Sequence, residues 1–263
     1  MEIIRVKLVN SAGESQGCEK APAELLKSLK EIKSKGDKSF FEFEKLNLEE
    51  IHVDLENIEE ANHLIFENSK EIFEKNNKSL FIGGDHSISY SIVRAFMEVE
   101  ENPLLIVFDS RSNCVEPGKY PTNKEWLRKL VDVGFNPDRI ILISTRSFTN
   151  GELDFLNKNK IVIIGMDVLQ EDLEGVCDLI MERARSSSGF YLSIDISCVD
   201  PAFAPGTSFL EPGGLSSREI IYLVKRLKLL DNFRGADIVE INPDKDISKM
   251  TIKLGAKILS EMI

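Results

Sequence analysis

Short, unbroken apolar runs constrain this chain most: LLIVF at 104–108, IILI at 140–143 and IVII at 161–164. A strand with water on one side alternates apolar and polar residues, so runs of this kind fit strands covered on both faces. Between them lie amphipathic stretches, such as 59–74 with Leu64, Ile65, Ile72 and Phe73 at helical spacing. Strands alternating with helices imply repeated βα units around a parallel sheet. Candidate strands are Ile3–Val9, Ser39–Phe43, Ile51–Asp54, Ser79–Ile82, Leu104–Phe108, Arg139–Ile143, Ile161–Ile164, Phe190–Ile194 and Gly235–Glu240. Candidate helices are Ala21–Ile32, Glu59–Glu74, Ser87–Glu98, Asn123–Val133, Leu169–Arg185, Ser217–Leu230 and Ile247–Met262. Pro22 sits in the first turn of the first helix, where a missing N–H costs little. The turns PDR, SSSG and DNFRG separate these units without a compositional break, and the expectation is a single α/β domain over residues 1–263.

Charge and cysteine usage narrow the function classes. The net charge of -11, from 33 basic and 44 acidic side chains, argues against a nucleic-acid or anionic-membrane surface. No apolar run reaches the ~18 residues of a spanning helix, and MEIIRVKLVN does not read as a signal peptide, so a cytoplasmic protein is expected. Cys18, Cys114, Cys177 and Cys198 are scattered without a CxxC pair, which suits reduced thiols and argues against a cysteine-based zinc site. Histidine is scarce: only His52, His63 and His86.

In open α/β sheets ligands bind at the carboxyl ends of the strands. Three loops there are polar: Gly83-Gly84-Asp85-His86-Ser87, Asp109-Ser110-Arg111-Ser112-Asn113, and the segment from Ser193 through Asp195, Ser197 and Asp200 to Ala204-Pro205-Gly206-Thr207. Together with GCEKAP (17–22), EPGGL (211–215) and DIVEINP (237–243), these loops resemble the ureohydrolase family of arginase, agmatinase and formimidoylglutamase. Six motifs in one order across most of the chain make the resemblance specific. It implies a three-layer α/β/α sandwich with a parallel sheet of about eight strands, in agreement with the periodicity. It also implies hydrolysis of a guanidino or related C–N bond by a hydroxide bridging two Mn²⁺ ions.

At the metal site the sequence departs from the family pattern. His86, Asp109 and Asp195 occupy three of six ligand positions with suitable residues, whereas Arg111 replaces a His, and Asn113 and Ser197 each replace an Asp. Asn123, in TNKEWL, stands at the position of a catalytic His. Arg111 has no lone pair to offer a metal, and its fork can pair bidentately with Asp109 or Asp195. With Arg111 and Ser197 replacing one metal, and two carboxylates remaining, the expectation is no cofactor, or at most one Mn²⁺ or other divalent ion on His86, Asp109, Asp195 and Asn113. Glu240 matches the carboxylate that pairs the substrate guanidinium, leaving a guanidino or amino small molecule as ligand, or an internal pair with Arg111. No residue is assigned a catalytic role. The family further implies a trimer or hexamer, or association with an active paralogue.

Plainer roles stand beside these. His86 is either a ligand or an ordinary buried histidine, and His52 and His63 lie outside every motif. Asp85 and Asp200 fit loop-fixing groups, and Trp126 fits helix packing. Cys114 or Cys198 as a nucleophile lacks a visible His partner. The functional expectation is a member of this family without efficient ureohydrolase turnover, acting as a pseudoenzyme, regulatory subunit or small-molecule binder; the alternative is a mononuclear-metal hydrolase of a guanidino or amidino substrate.

Overall fold

The structure, a computed structural model, describes residues 1–11, 13–35, 39–75 and 78–263. Its strands are β1 (Glu2–Val6), β2 (Asn47–Ile51), β3 (Ser79–Gly83), β4 (Pro103–Phe108), β5 (Ile140–Ile143), β6 (Val162–Ile164), β7 (Gly189–Asp195) and β8 (Phe233–Val239). All pair in parallel in one sheet, ordered β2-β1-β3-β8-β7-β4-β5-β6. The helices are α1 (Ala21–Glu31), α2 (Ile58–Glu74), α3 (Ile88–Val99), α4 (Trp126–Asp132), α5 (Asn150–Lys158), α6 (Met166–Glu171), α7 (Leu173–Arg185), α8 (Ser217–Leu227) and α9 (Met250–Met262).

Successive strand side chains point to opposite faces, and here both faces are buried. Leu104, Ile106 and Phe108 of β4 pack with residues of α1 and α6–α9. Leu105 and Val107 pack with residues of α2–α5. This is the three-layer sandwich expected from the unbroken apolar runs.

The differences from the sequence reading have local causes. Ser39–Phe43 forms no sheet strand; Phe40 makes only an isolated antiparallel bridge to Ser34, and Phe43–Lys45 is a 3-10 turn. β2 ends at Ile51 rather than beginning there, because NLEEI is an exposed edge strand that pairs on one side only and needs little apolar cover. The helix expected over 169–185 breaks at Asp172, whose side chain accepts from the Gly175 N–H at 2.8 Å and starts α7. Helix α5 was not anticipated, although Thr149 and Glu152 form a full capping box at its start.

Among the described residues, no helix is long and apolar enough to cross a membrane. The four cysteines are free and buried. Strands β3, β8, β7 and β4 lie together mid-sheet, so their carboxyl ends bring His86, Glu240, Asp195 and Asp109 into one crevice.

Candidate metal centre

The loop after β3 is built for close approach. A Cβ on Gly84 would lie 2.0 Å from the Leu8 carbonyl oxygen, so only glycine lets this strand end sit against β1's exit loop. Asp85 then fixes the turn: Oδ2 accepts from the Asn10 N–H at 2.7 Å and Oδ1 from the Ser87 N–H at 3.1 Å. These bonds hold His86, fully buried, over Trp126 with ring centroids 4.7 Å apart. Trp126 therefore packs in the core, as expected, and also forms the floor under the imidazole.

His86 Nδ1 lies 2.9 Å from Asp109 Oδ2 and 3.2 Å from Asp195 Oδ2. The three side chains form a cluster whose candidate ligand atoms lie within 4.8 Å of one another. The far ring nitrogen, Nε2, is 2.9 Å from Ser193 Oγ. Ser193 donates its hydroxyl to Asp237 Oδ1 at 2.8 Å, leaving a lone pair for His86. Asp237 Oδ2 also accepts from Ser89 Oγ at 2.8 Å and Tyr191 Oη at 3.2 Å. The chain His86–Ser193–Asp237 thus sets the Nε2–H form and directs Nδ1 at the two carboxylates. Ser193 opens the third polar segment named from the sequence, but no role is assigned to it there; its hydrogen bonds to His86 and Asp237 emerge only from the pairing of β7 with β8.

The remaining expected residues converge on the same crevice. Asp109 Oδ1 accepts from the Arg111 N–H at 2.9 Å and Ser197 Oγ at 3.2 Å, while Asp109 Oδ2 accepts from Asn113 Nδ2. Asp195 Oδ1 accepts from the Ser197 N–H at 2.8 Å. Asn123 is buried, and its Nδ2 donates to Glu240 Oε1 at 2.9 Å, so the TNKEWL segment does reach the site. Glu240, fully buried in a left-handed conformation at φ 62°, also accepts from the His86 N–H at 3.0 Å and Ser15 Oγ at 2.7 Å.

Arg111 behaves differently from the expectation. No ion pair joins its side chain to Asp109, Asp195 or Glu240 among the described residues. The guanidinium lies instead over the Phe209 ring, 3.3 Å from its centroid. His86 takes the place between the carboxylates that was expected for Arg111. Asp200 is a loop fixer: Oδ1 accepts from the Ala202 N–H at 2.9 Å, and Oδ2 from Gly213 at 2.7 Å and Gly214 at 3.3 Å. Arg146, unremarked in the sequence, ties three loops through the carbonyls of Ser144, Ser197, Glu211 and Pro212. His52 and His63 are largely exposed and far from the crevice in the fold, at the end of β2 and on α2.

Electrostatics follow from burial. Asp195 is pushed up to about 7, by burial first and then by the Asp109 charge. Asp85 rises to about 7, by burial and then by Glu240, and Asp237 rises by burial. Burial opposes a charge on His86, but Asp109 and Asp195 outweigh it and hold the imidazolium up to about 10. Asp109 goes the other way: burial pushes it up, but His86 pulls it below the usual carboxylate range. The Cys114 and Cys198 thiols are both raised, chiefly by burial, and stay protonated at neutral pH. A cysteine nucleophile is therefore not available.

These facts correct the expectation of a site that takes no cofactor. That expectation balanced Asp109 and Asp195 against Arg111 alone. The fold adds buried Asp85, Asp237 and Glu240 and turns the Arg111 side chain onto Phe209. Asn113 Oδ1 is buried without a hydrogen-bond partner, and Asp195 Oδ2 has only the His86 Nδ1 contact at 3.2 Å. A half-turn of the Asn113 amide would put its oxygen beside His86 Nδ1, where Nδ2 now lies at 3.3 Å. An excess of buried carboxylates, the unpaired Asn113 oxygen and an oriented imidazole suit a divalent cation, so a metal cofactor is supported.

The motif order and the sheet order both have counterparts among known proteins. A model of the arginase family matches residues 3–263. Mitochondrial arginase 1 of Arabidopsis thaliana is 33% identical over 190 residues, 70% of this chain and 54% of that protein. Formimidoylglutamase of Bacillus subtilis is 27% identical over 222 residues, 81% of this chain and 69% of that protein. The match thus spans about half the length of the plant arginase. In structure, proclavaminate amidino hydrolase from Streptomyces clavuligerus superposes with a TM-score of 0.89 at 25% identity, covering 99% of this chain and 89% of that one. Formimidoylglutamase from Bacillus subtilis gives a TM-score of 0.89 at 24% identity, covering 99% and 85%. With the motif order, the sheet order and a family match over nearly the whole length in agreement, this chain belongs to the arginase family.

Proposed function

We propose that this arginase-family protein holds one divalent cation on His86, Asp109 and Asp195, with Asn113 as a fourth ligand, and works as a small-molecule binder rather than an efficient ureohydrolase. The observation that carries this reading is the state of Glu240. A carboxylate that pairs a substrate guanidinium needs free lone pairs facing the pocket. Here Oε1 accepts from the His86 N–H and Asn123 Nδ2 and Oε2 from Ser15 Oγ, so three of about four acceptor sites are filled, and the side chain is fully buried. Asn123 contributes a neutral amide where a proton donor and acceptor would be needed, and amides do not exchange protons near neutral pH. Arg111 and Ser197 supply no second cation position: one cannot ligate, and the other spends its hydroxyl on Ser110 and Asp109.

When bound, a divalent cation would supply Lewis acidity and a lowered pKa for coordinated water. The chain's own part is then orientation: Ser193 and Asp237 fix the imidazole, Ser197 and the Arg111 N–H hold Asp109, and Trp126 closes the floor. The buried cluster of His86, Asp109 and Asp195, with Asn113 beside it, supports a second reading, a mononuclear hydrolase of a guanidino or amidino compound. Metal content by mass spectrometry, with urea release from arginine and agmatine under saturating Mn²⁺, tests both. The expected result is one ion per chain and no turnover above the metal-only background. Two ions with ordinary turnover would refute the proposal, and one ion with turnover would favour the second reading.

A further inference from the structure

We infer that the Asn150-Gly151 pair at the start of α5 is a self-modifying site, which closes to a succinimide and reopens chiefly as isoaspartate, releasing the loop that carries Asn113. It is the one Asn-Gly pair in the chain. Both residues are exposed, and a Cβ on Gly151 would meet nothing within 4 Å, so no neighbour blocks the ring. As the second residue of the helix, Gly151 has an N–H without an intrahelical acceptor. Among the described residues nothing else accepts from it, and the Asn150 side chain is equally free. Hydroxide takes the Gly151 amide proton, and the nitrogen attacks Asn150 Cγ. The Cγ–Nδ2 bond breaks, and Nδ2 leaves as ammonia with a proton from water. Water then opens the five-membered imide. Attack at Cγ gives aspartate; attack at the Asn150 main-chain carbonyl gives isoaspartate, whose backbone runs through Cβ and Cγ. Ammonia is lost and water gained, with no oxidant or reductant involved. Glycine permits the step because it lacks the Cβ that would crowd the attacking nitrogen, and the positive end of the helix favours the amide anion.

Isoaspartate matters at this position because of what the next residues hold. Its extra backbone carbon falls between Thr149 and Glu152, the two ends of the capping box, whose reciprocal bonds need helical spacing. Glu152 Oε2 accepts from the Thr149 N–H and Oγ1, both at 2.9 Å. Its Oε1 accepts from Ser112 Oγ at 2.7 Å and the Cys114 N–H at 3.2 Å. Those two donors flank Asn113, which stands in a left-handed conformation at φ 53°. One buried carboxylate on α5 thus braces the loop after β4, and a lengthened backbone at position 150 withdraws the brace. The aspartate product differs: it adds a charge that a helix N-terminus accommodates and leaves the box intact.

Warm incubation of the full, EDTA-treated chain at pH 8.5, followed by peptide mapping and hydrogen exchange, tests it. Asn150 should show the mass change of amide to acid, mostly as isoaspartate. Its rate should lie within about a hundredfold of that in the urea-unfolded chain, because a first helical turn opens locally at little cost. Gly151→Ala, and Asn150→Gln, whose ring would have six members, should both keep their amide. In the aged protein the amides of residues 109–114 should exchange about tenfold faster, the loss of one charge-assisted bond. Fresh Asn150→Asp, with the charge but not the extra carbon, should match fresh wild type. A native rate below the stated range, conversion that Gly151→Ala does not slow, unchanged exchange at 109–114 after conversion, or the same acceleration in Asn150→Asp would each overturn the inference. None of these readouts uses a bound metal, so metal count and turnover decide the proposed function independently.

Discussion

On the proposed ligand set, metal and proton compete for the same atom, His86 Nδ1, and the strength of that competition can be worked out. In the metal-free protein the imidazolium between Asp109 and Asp195 is held up to about 10, against an ordinary value of 6.5. At pH 8 an ordinary histidine is almost wholly neutral, and metal binding there would be nearly independent of pH. Here His86 stays protonated through pH 8, and each ion must expel one proton. Affinity should then rise about tenfold per pH unit, since one unit is worth about 1.36 kcal/mol. Below about pH 7 the Asp195 carboxyl also holds a proton, because burial and the Asp109 charge raise it. The dependence should steepen there toward a hundredfold per unit, two protons per ion. Calorimetry of Mn²⁺ binding in buffers of different ionisation enthalpy counts the protons directly. About one released at pH 8.5 and nearly two at pH 6 are expected. No proton released at pH 8.5, with affinity flat from pH 7.5 to 8.5, would refute the placement of His86 between the two carboxylates.

Three further outcomes follow from the same geometry. His86→Ala should destabilise the chelator-treated protein by about 3–5 kcal/mol at pH 6.5, because it leaves two buried carboxylates without their cation. A group whose pKa is raised on folding stabilises fully below its unfolded value and loses that stabilisation as pH rises through its folded value. Urea denaturation should therefore show the deficit narrowing from pH 6.5 toward pH 10, and an equal deficit at both ends would contradict the assignment. The triple variant Arg111→His, Asn113→Asp, Ser197→Asp should raise metal content from one ion per chain to two, as read by mass spectrometry; a count that stays at one would show that the ligand positions are misassigned. Gly84→Ala should cost about 2–4 kcal/mol through collision with the Leu8 carbonyl. Gly118→Ala, whose Cβ would meet nothing within 4 Å, serves as the control and should stay near zero in the same urea titration.

The layers of the fold were legible because parallel strands buried on both faces leave a pattern, unbroken runs such as LLIVF, that few other structures require. β2 escaped for the converse reason: NLEEI lies at the sheet edge, and its pairing rests on backbone hydrogen bonds that no residue type marks. Within the site, the loop residues His86, Asp109, Asn113, Asn123, Asp195, Ser197 and Glu240 were all legible through motif order, and all converge. Ser15 and Phe209 were not, and the role of Ser193 was not. Ser15 lies in the loop after β1 and Phe209 in the loop after β7, in segments that read as ordinary loop, and the sheet order that sets β1 beside β3 and β7 beside β4 brings them to the same crevice.

The misjudged charge balance shows why a motif alone is a poor guide to whether a buried site wants a cation. Counting Asp109, Asp195 and Arg111 suggests that an organic cation replaces the metal. Side-chain charges act over the whole crevice, however, and the mid-sheet strands also deliver Asp85, Asp237 and Glu240 out of water. Among these groups the resident cation is the proton on His86, and that proton can leave. Asp237, acting through Ser193, holds the ring so that the departing proton exposes an Nδ1 lone pair facing two carboxylates. In the doubly protonated ring Ser193 supplies the acceptor that the buried Nε2–H needs. When Nδ1 loses its proton, the same bond leaves that lone pair facing Asp109 and Asp195, a position suited to a cation. Arg111, facing away over Phe209, leaves this exchange of proton for metal unobstructed.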